Sequence, residues 1–183
     1  MLAVATSNPL QVSVRDLIGK PGEMREKHLD VPAPTHYGEA VAVVPEGRGV
    51  GIDLRLESVH EGIFVSGDIH TTADAECVRC LEPLEVPIDA DFQELFAFSA
   101  GDGYDYWVVD ETIDLDQVVR DQVVLQLPFQ PVCSDDCAGL DPETGEKRPE
   151  GWQPPEDTDI DPRWAELEKL VSNPQDDEAD ASK

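Results

Sequence analysis

Ile52-Asp-Leu-Arg-Leu-Glu57, followed by Ile63-Phe-Val-Ser-Gly-Asp-Ile69, decides the fold of this 183-residue chain. In the first run Ile52, Leu54 and Leu56 alternate strictly with Asp53, Arg55 and Glu57, the period of a strand with one buried and one wet face. His60-Glu61-Gly62 supplies a turn and the second run resumes β-type composition, so the two predict a hairpin. Upstream, Leu10, Val12 and Val14 alternate in the same way, and Pro21-Gly22 marks a turn after them. Residues 23–44, punctuated by Pro32 and Pro34, read as strand and loop. Downstream, Val86, Ile88, Ala90, Phe92, Phe96 and Phe98 share one strand face that only Glu94 interrupts. Pro87 within that run marks an edge strand or a strand start, because proline cannot donate to a sheet ladder.

The period changes after a Gly- and Asp-rich stretch over 99–112 that carries Tyr104, Tyr106 and Trp107. Leu115, Val118, Val119, Gln122, Val123 and Gln126 recur at helical spacing, with Val124, Leu125 and Leu127 widening the apolar arc. Asp114 and Gln117 read as a variant capping box, and Pro128 stops the helix. A mostly antiparallel sheet covered by one main helix is an α+β arrangement. After Leu140 the chain turns polar and proline-bearing, too poor in apolar surface to offset about 1–2 kcal/mol of backbone ordering entropy per residue. The expected division is a folded domain over 1–140 and a largely disordered acidic tail over 141–183. Within the tail Asp161 can cap and Pro162 can open a short amphipathic helix near 162–172, with Trp164, Leu167, Leu170 and Val171 on one stripe.

Cys77-Val-Arg-Cys80 and Cys133-Ser-Asp-Asp-Cys137 hold all four cysteines. Two short-spaced pairs on tight turns can present four thiolates to one tetrahedral zinc. Inert buried thiols and redox use are the alternatives, although a thioredoxin-type role would want a strand-to-helix turn, not two strand-like runs. Four thiolates close the coordination shell and leave no place for a catalytic water, so such a zinc would be structural and coupled to folding. The Ser134-Asp135-Asp136 spacer adds negative charge there, with Arg79 as local relief. His28, His36, His60 and His70 are scattered; His70 could approach Cys77, but a solvated histidine is the commoner case. Gly47-Arg-Gly-Val-Gly51 lacks the Lys-Ser/Thr ending of a phosphate loop, and no nucleophile elbow or metal-hydrolase motif is present. The expectation is no enzyme.

The formal net charge is -27, and most of the excess acid lies beyond residue 80. Such a field repels bare nucleic acid and suits a basic protein partner. The first residues show no cationic stretch followed by an apolar run, and no apolar run reaches about 18 residues. A cytoplasmic protein with no membrane role is expected, and a reducing compartment favours metal ligation or free thiols over disulfides.

Three segments in this order, Cys77-Val-Arg-Cys80-Leu-Glu-Pro83, Ile113-Asp-Leu-Asp-Gln-Val-Val-Arg-Asp-Gln-Val-Val-Leu-Gln-Leu-Pro128 and Pro131-Val-Cys133-Ser-Asp-Asp-Cys137-Ala-Gly-Leu140, resemble the YceD family of bacterial and plastid proteins. Asp161-Pro-Arg-Trp164 is also similar to members of that family, and the likeness covers most of residues 10–172. The resemblance implies a role in accumulation of large-subunit ribosomal RNA and in assembly of the large ribosomal subunit. The family is often encoded beside a small basic large-subunit ribosomal protein. Asp141 stands where many relatives have a further cysteine, which leaves four candidate ligands.

Two functional expectations follow. One is an assembly factor that binds a basic large-subunit ribosomal protein or a pre-ribosomal particle, with the acidic second half for steering and Trp164, Leu167, Leu170 and Val171 as anchor; the bland reading of that stripe is packing on its own domain. The other is direct RNA binding to pre-ribosomal large-subunit RNA through the N-terminal half, where Arg15, Lys20, Arg25 and Lys27 cluster. Asp16, Glu23 and Glu26 sit among those cations, so an ordinary solvated surface is the bland reading there.

Overall fold

Ile52, Leu54 and Leu56 are buried while Asp53 and Arg55 are exposed, as the alternation requires. The computed structural model describes residues 8–153 apart from 40, 100, 102 and 150. The chain runs β1 (Gln11–Ser13), β2 (Met24–Pro32), β3 (Ala42–Val43), β4 (Gly49–Ser58), β5 (Gly62–Glu76), β6 (Pro83–Ala97), β7 (Tyr106–Trp107), β8 (Thr112–Asp114) and α1 (Asp116–Gln126). One sheet has the order β2-β4-β5-β6-β7, with β3 paired to the far half of β5, and β1 pairs with β8 separately. Every pair is antiparallel except β6 with β7.

The predicted hairpin is β4 and β5, joined through Val59–Glu61 with Ser58 opposite Ile63. β5 and β6 form a second, longer hairpin that stays in register from Gly62 opposite Ala97 to Glu76 opposite Pro83. Among the described residues β6 has no neighbour on its other side beyond the short β7 contact at its end, so Pro87 sits on an edge there. On the inner face Ile52, Leu54, Ile69, Ile88 and Phe92 meet Val118, Val119 and Val123 of α1 and Val12 of β1 in one core. Gly67 makes room there, since a Cβ at this position would collide with the Phe92 ring. Burying this surface at about 25 cal/mol per Å² is the main favourable term for such a domain. Among the described residues no helix is long and apolar enough to cross a membrane.

Several expectations change in detail. Residues 24–32 form one nine-residue edge strand, whose alternation is blurred because its inward Leu29 and Val31 are only half buried at the rim of the sheet. The capping box does not form. Asp114 ends β8 instead, where its carboxylate accepts from the Asn8 amide at 3.1 Å and from the Asp116 N–H at 3.0 Å. Gln117 turns forward to Asp121, and α1 starts at Asp116 after Leu115. Val124 and Leu125 do not widen the buried face; they are exposed, because the arc that reaches the sheet is limited to Val118, Val119 and Val123. Phe98 lies beyond the end of β6 and is also partly exposed. Leu127 adopts φ -63, ψ 131, the extended conformation imposed on a residue before proline, and the helix ends there.

Candidate metal centre

Cys77 and Cys80 sit on the turn that closes the β5–β6 hairpin. The Cys77 N–H donates to the Glu82 carbonyl at 2.9 Å, the Leu81 N–H donates to the Cys77 carbonyl at 2.8 Å, and Leu81 takes φ 59 to complete the turn. Cys133 and Cys137 sit on the segment that leaves α1, where the Cys137 N–H donates to the Ser134 carbonyl at 3.2 Å. Backbone bonds weld the two segments: the Val78 N–H donates to the Pro131 carbonyl at 2.9 Å, and the Leu140 N–H to the Arg79 carbonyl at 3.1 Å. Gly139 permits that approach, for it has φ +76 and a Cβ there would stand 3.1 Å from the Arg79 carbonyl oxygen.

All four sulfurs lie within 4.8 Å of one another. Cys77 Sγ is 3.9 Å from Cys137 Sγ, and Cys80 Sγ is 3.7 Å from Cys133 Sγ. A tetrahedron with Zn–S bonds of about 2.3 Å has edges of about 3.8 Å, so these separations suit one metal ion. They are far too long for disulfides, whose S–S bond is about 2.05 Å. Both of these contacts join one segment to the other. Burial raises the Cys77 thiol, but hydrogen bonds from the backbone of Cys133, Cys80 and Arg79 outweigh it and bring the pKa down to about 6. At Cys80 a backbone hydrogen bond at Glu82 lowers the pKa, while burial and the neighbouring thiols push it up to about 12. Thiols that cannot all ionise in one small volume, with peptide groups favouring thiolate at one of them, are a donor set that a dication would satisfy.

Arg79 provides relief of an unforeseen kind: its guanidinium donates to the Asp135 carbonyl at 2.9 Å and to the Cys137 carbonyl at 3.1 Å, holding the second turn by its backbone. Lys147 adds a second cation. It pairs with Glu82, and that hydrogen bond, with the field of Cys80 and Cys133, raises its pKa. Sequence reasoning missed Lys147, which lies past the boundary expected at Leu140. Hydrogen bonds cross that boundary, with the Arg148 N–H donating to the Gly139 carbonyl at 2.9 Å and Leu140 bridging to Lys147. The signal was Asp141-Pro142 with Gly145 four positions on: the Asp141 carboxylate accepts from the Glu143 and Thr144 N–H groups, which lowers its pKa, and Gly145 takes φ 70. Arg148 then lies 3.6 Å over the Trp152 ring.

The other candidates fare differently. His70 is no part of the cluster; it is exposed in mid-strand with Nδ1 2.7 Å from Asp89. Arg15 pairs with Glu111 at 3.3 Å, Lys20 with Glu23 at 3.4 Å and Arg25 with Asp16 at 2.7 Å, while Lys27 makes no ion pair among the described residues. Trp164, Leu167, Leu170 and Val171, and with them the helix expected near 162–172, lie outside the described residues.

The family model described as "Large ribosomal RNA subunit accumulation protein YceD" matches residues 65–171, which takes in both cysteine pairs. An uncharacterized protein of Mycobacterium tuberculosis is 39% identical over 173 residues, covering 90% of this chain and 83% of the relative. An uncharacterized protein of Mycobacterium leprae is 33% identical over 186 residues, 96% of this chain and 85% of the relative. The uncharacterized protein YlbN of Bacillus subtilis is 31% identical over 136 residues, 69% of this chain and 73% of the relative. No solved structure matches the chain.

Proposed function

The chain belongs to the YceD family, named for accumulation of the large ribosomal RNA subunit, and from that premise we propose that it is a non-catalytic cytoplasmic factor of large-subunit assembly that binds a basic ribosomal protein. The observation that carries this reading is the outer face of the sheet. Along a sequence the acid is concentrated past residue 80, yet the strand register places carboxylates of both halves side by side. Asp53 stands opposite Asp68 and Asp68 opposite Asp91, with Asp30, Asp89, Asp74 and Glu85 on the same face. Arg55, Lys27 and Arg48 are cations near them, Arg48 is spent on Asp74 and Glu85, and His28 and His70 hydrogen-bond Asp53 and Asp89.

Like charges directly opposite one another weaken a sheet, so an uninterrupted row of three aspartates is a cost to the fold that a cationic partner would relieve. The candidate RNA contacts support protein over RNA, since Arg15, Lys20 and Arg25 are each committed to a carboxylate. In this reading the four cysteines hold one structural zinc that clips the hairpin turn to the segment after α1, keeping the acidic sheet rigid.

The test is titration of the full chain with purified small basic large-subunit ribosomal proteins, and with a large-subunit ribosomal RNA fragment, over a salt series. Binding of one such protein, weakening as salt rises, is expected. Tight RNA binding with no ribosomal protein bound would overturn the reading.

A further inference from the structure

At the far end of the sheet from the cysteines, Trp107 is 44% exposed and Val109 55% exposed. Trp107 lies on the two-residue strand β7 that ends the sheet, its register fixed by Ala97 of β6. Next to it Tyr106 is half-buried, its ring 5.3 Å from that of Phe96, so the strand is anchored through one aromatic while the next stays at the surface. The chain then turns back to β8 through Asp110 and Glu111, both at positive φ, and bridges Val109 to Thr112. Two adjoining clefts result, of about 320 and 370 Å³, which share Trp107, Val109 and Asp114. Asp105 and Asp116 line the first with Gln117, and Asp110 lines the second with Gln11 and Thr112.

The chemistry of the walls is specific. Among the described residues no cation pairs with Asp105, Asp110 or Asp114, and Asp116 has only Arg120 at 3.8 Å. One oxygen of Asp116 is enclosed with no hydrogen-bond partner. The Asp114 carboxylate is taken up by Asn8, Gln11 and the Asp116 N–H, which leaves Asp105 and Asp110 as the carboxylates without a partner among the described residues; with an exposed indole beside an apolar side chain they offer a stacking plane, a surface for a methylene stem and acceptors for N–H donors. These are the complements of an arginine side chain, which stacks on Trp and donates in a planar fork. We infer that this cleft is the docking site for an arginine-bearing segment of the basic protein partner, an inference that rests on the functional reading above. Trp107 is its anchor, in keeping with the weight that tryptophan carries at interfaces. The acidic sheet face then steers the partner, and the cleft fixes it.

The full chain, labelled for NMR, is titrated with a synthetic glycine–serine peptide bearing arginines and with its neutral citrulline counterpart. The Trp107 indole N–H resonance shifts with the arginine peptide and stays still with the citrulline one. Trp107→Ala and Asp105→Asn, both at exposed positions and checked by an unchanged melting temperature, each weaken the arginine peptide by about tenfold. Equal binding by Trp107→Ala and the wild type, or loss only on Asp68→Asn and Asp91→Asn, overturns the cleft. So does an indole shift produced by Arg163→Gln with no peptide present, which would assign the cleft to this chain's own segment. If no ribosomal protein binds the wild type, the functional reading falls and the peptide titration still decides the cleft. If one binds and Trp107→Ala binds it unchanged, the cleft falls and the functional reading stands.

Discussion

Cys80 Sγ and Cys133 Sγ stand 3.7 Å apart although 53 positions separate them, and the backbone bond from Val78 to Pro131 runs beside them. A metal at this point closes the loop that contains β6, β7, β8 and α1, so its binding energy becomes folding energy. Native mass spectrometry of the full chain prepared without chelator is expected to show one zinc. Stripping the metal should lower the melting temperature by about 10 °C or more. Cys133→Ser, at the exposed ligand, should abolish the metal peak. A metal-free chain that melts at the same temperature as the untreated protein would remove the clip.

On the outer sheet face Asp68 is flanked on both sides by aspartates of neighbouring strands. Asp68→Thr removes two like-charge contacts and substitutes a residue that favours strands. It should stabilise the protein by about 0.5 kcal/mol in urea unfolding. The gain should shrink as salt is added, because the repulsion it relieves is screened. The same substitution should weaken a basic ribosomal partner. A stabilised variant with unchanged partner affinity would leave the acidic face a structural accident.

The central hairpin was legible because Ile52, Leu54 and Leu56 obey a period of two without exception, and β4 is paired on both sides. β2 was not, because an edge strand has one neighbour and its inner face is half wet, which leaves the sequence no sharp alternation to show. The helix was legible in its buried positions and misread at its start, where Asp114 answers to Asn8 and Gln11 across the chain as well as to Asp116. Long-range partners of that kind leave no local trace. The meeting of the four cysteines was readable from their spacing and flanking turns, whereas Lys147 reached the site through a turn whose Asp-Pro…Gly signal looked like tail. The acidic face was hidden for a simpler reason: charge counted along the chain says nothing of which carboxylates the register will set opposite one another.

His70 gives the acidic face a measurable pH response. Its hydrogen bond to Asp89 raises its pKa above the ordinary 6.5, against slight desolvation, with Asp89, Asp53 and Asp68 adding to the rise. A histidine with a raised folded pKa contributes stability that is complete below its unfolded value and lost as pH climbs through the folded one. The contribution therefore fades above pH 6.5 and is small, since the side chain is 58% exposed. Proton NMR should find His70 titrating above 6.5, and Asp89→Asn should return it toward that value. A midpoint below 6.5 in the wild type would contradict the pairing.

Gly67 tests whether the core is packed as described. It sits in the middle of β5, paired with Leu54 on one side and Phe92 on the other, and its φ is not in the left-handed region. Glycine is here for space, since a Cβ would meet the Phe92 ring and lie 3.1 Å from the Leu54 Cδ2. Gly67→Ala should therefore destabilise by about 1–3 kcal/mol, although alanine suits a strand backbone better than glycine does. Phe92→Leu alone should also destabilise, by loss of buried ring surface. The two together should cost less than their sum, because the shortened side chain vacates the volume the new methyl needs. In the Phe92→Leu background Gly67→Ala becomes neutral only if the ring is the sole obstacle, so the residual penalty measures how much Leu54 contributes. Simple additivity in urea unfolding would mean that Phe92 does not lie over Gly67.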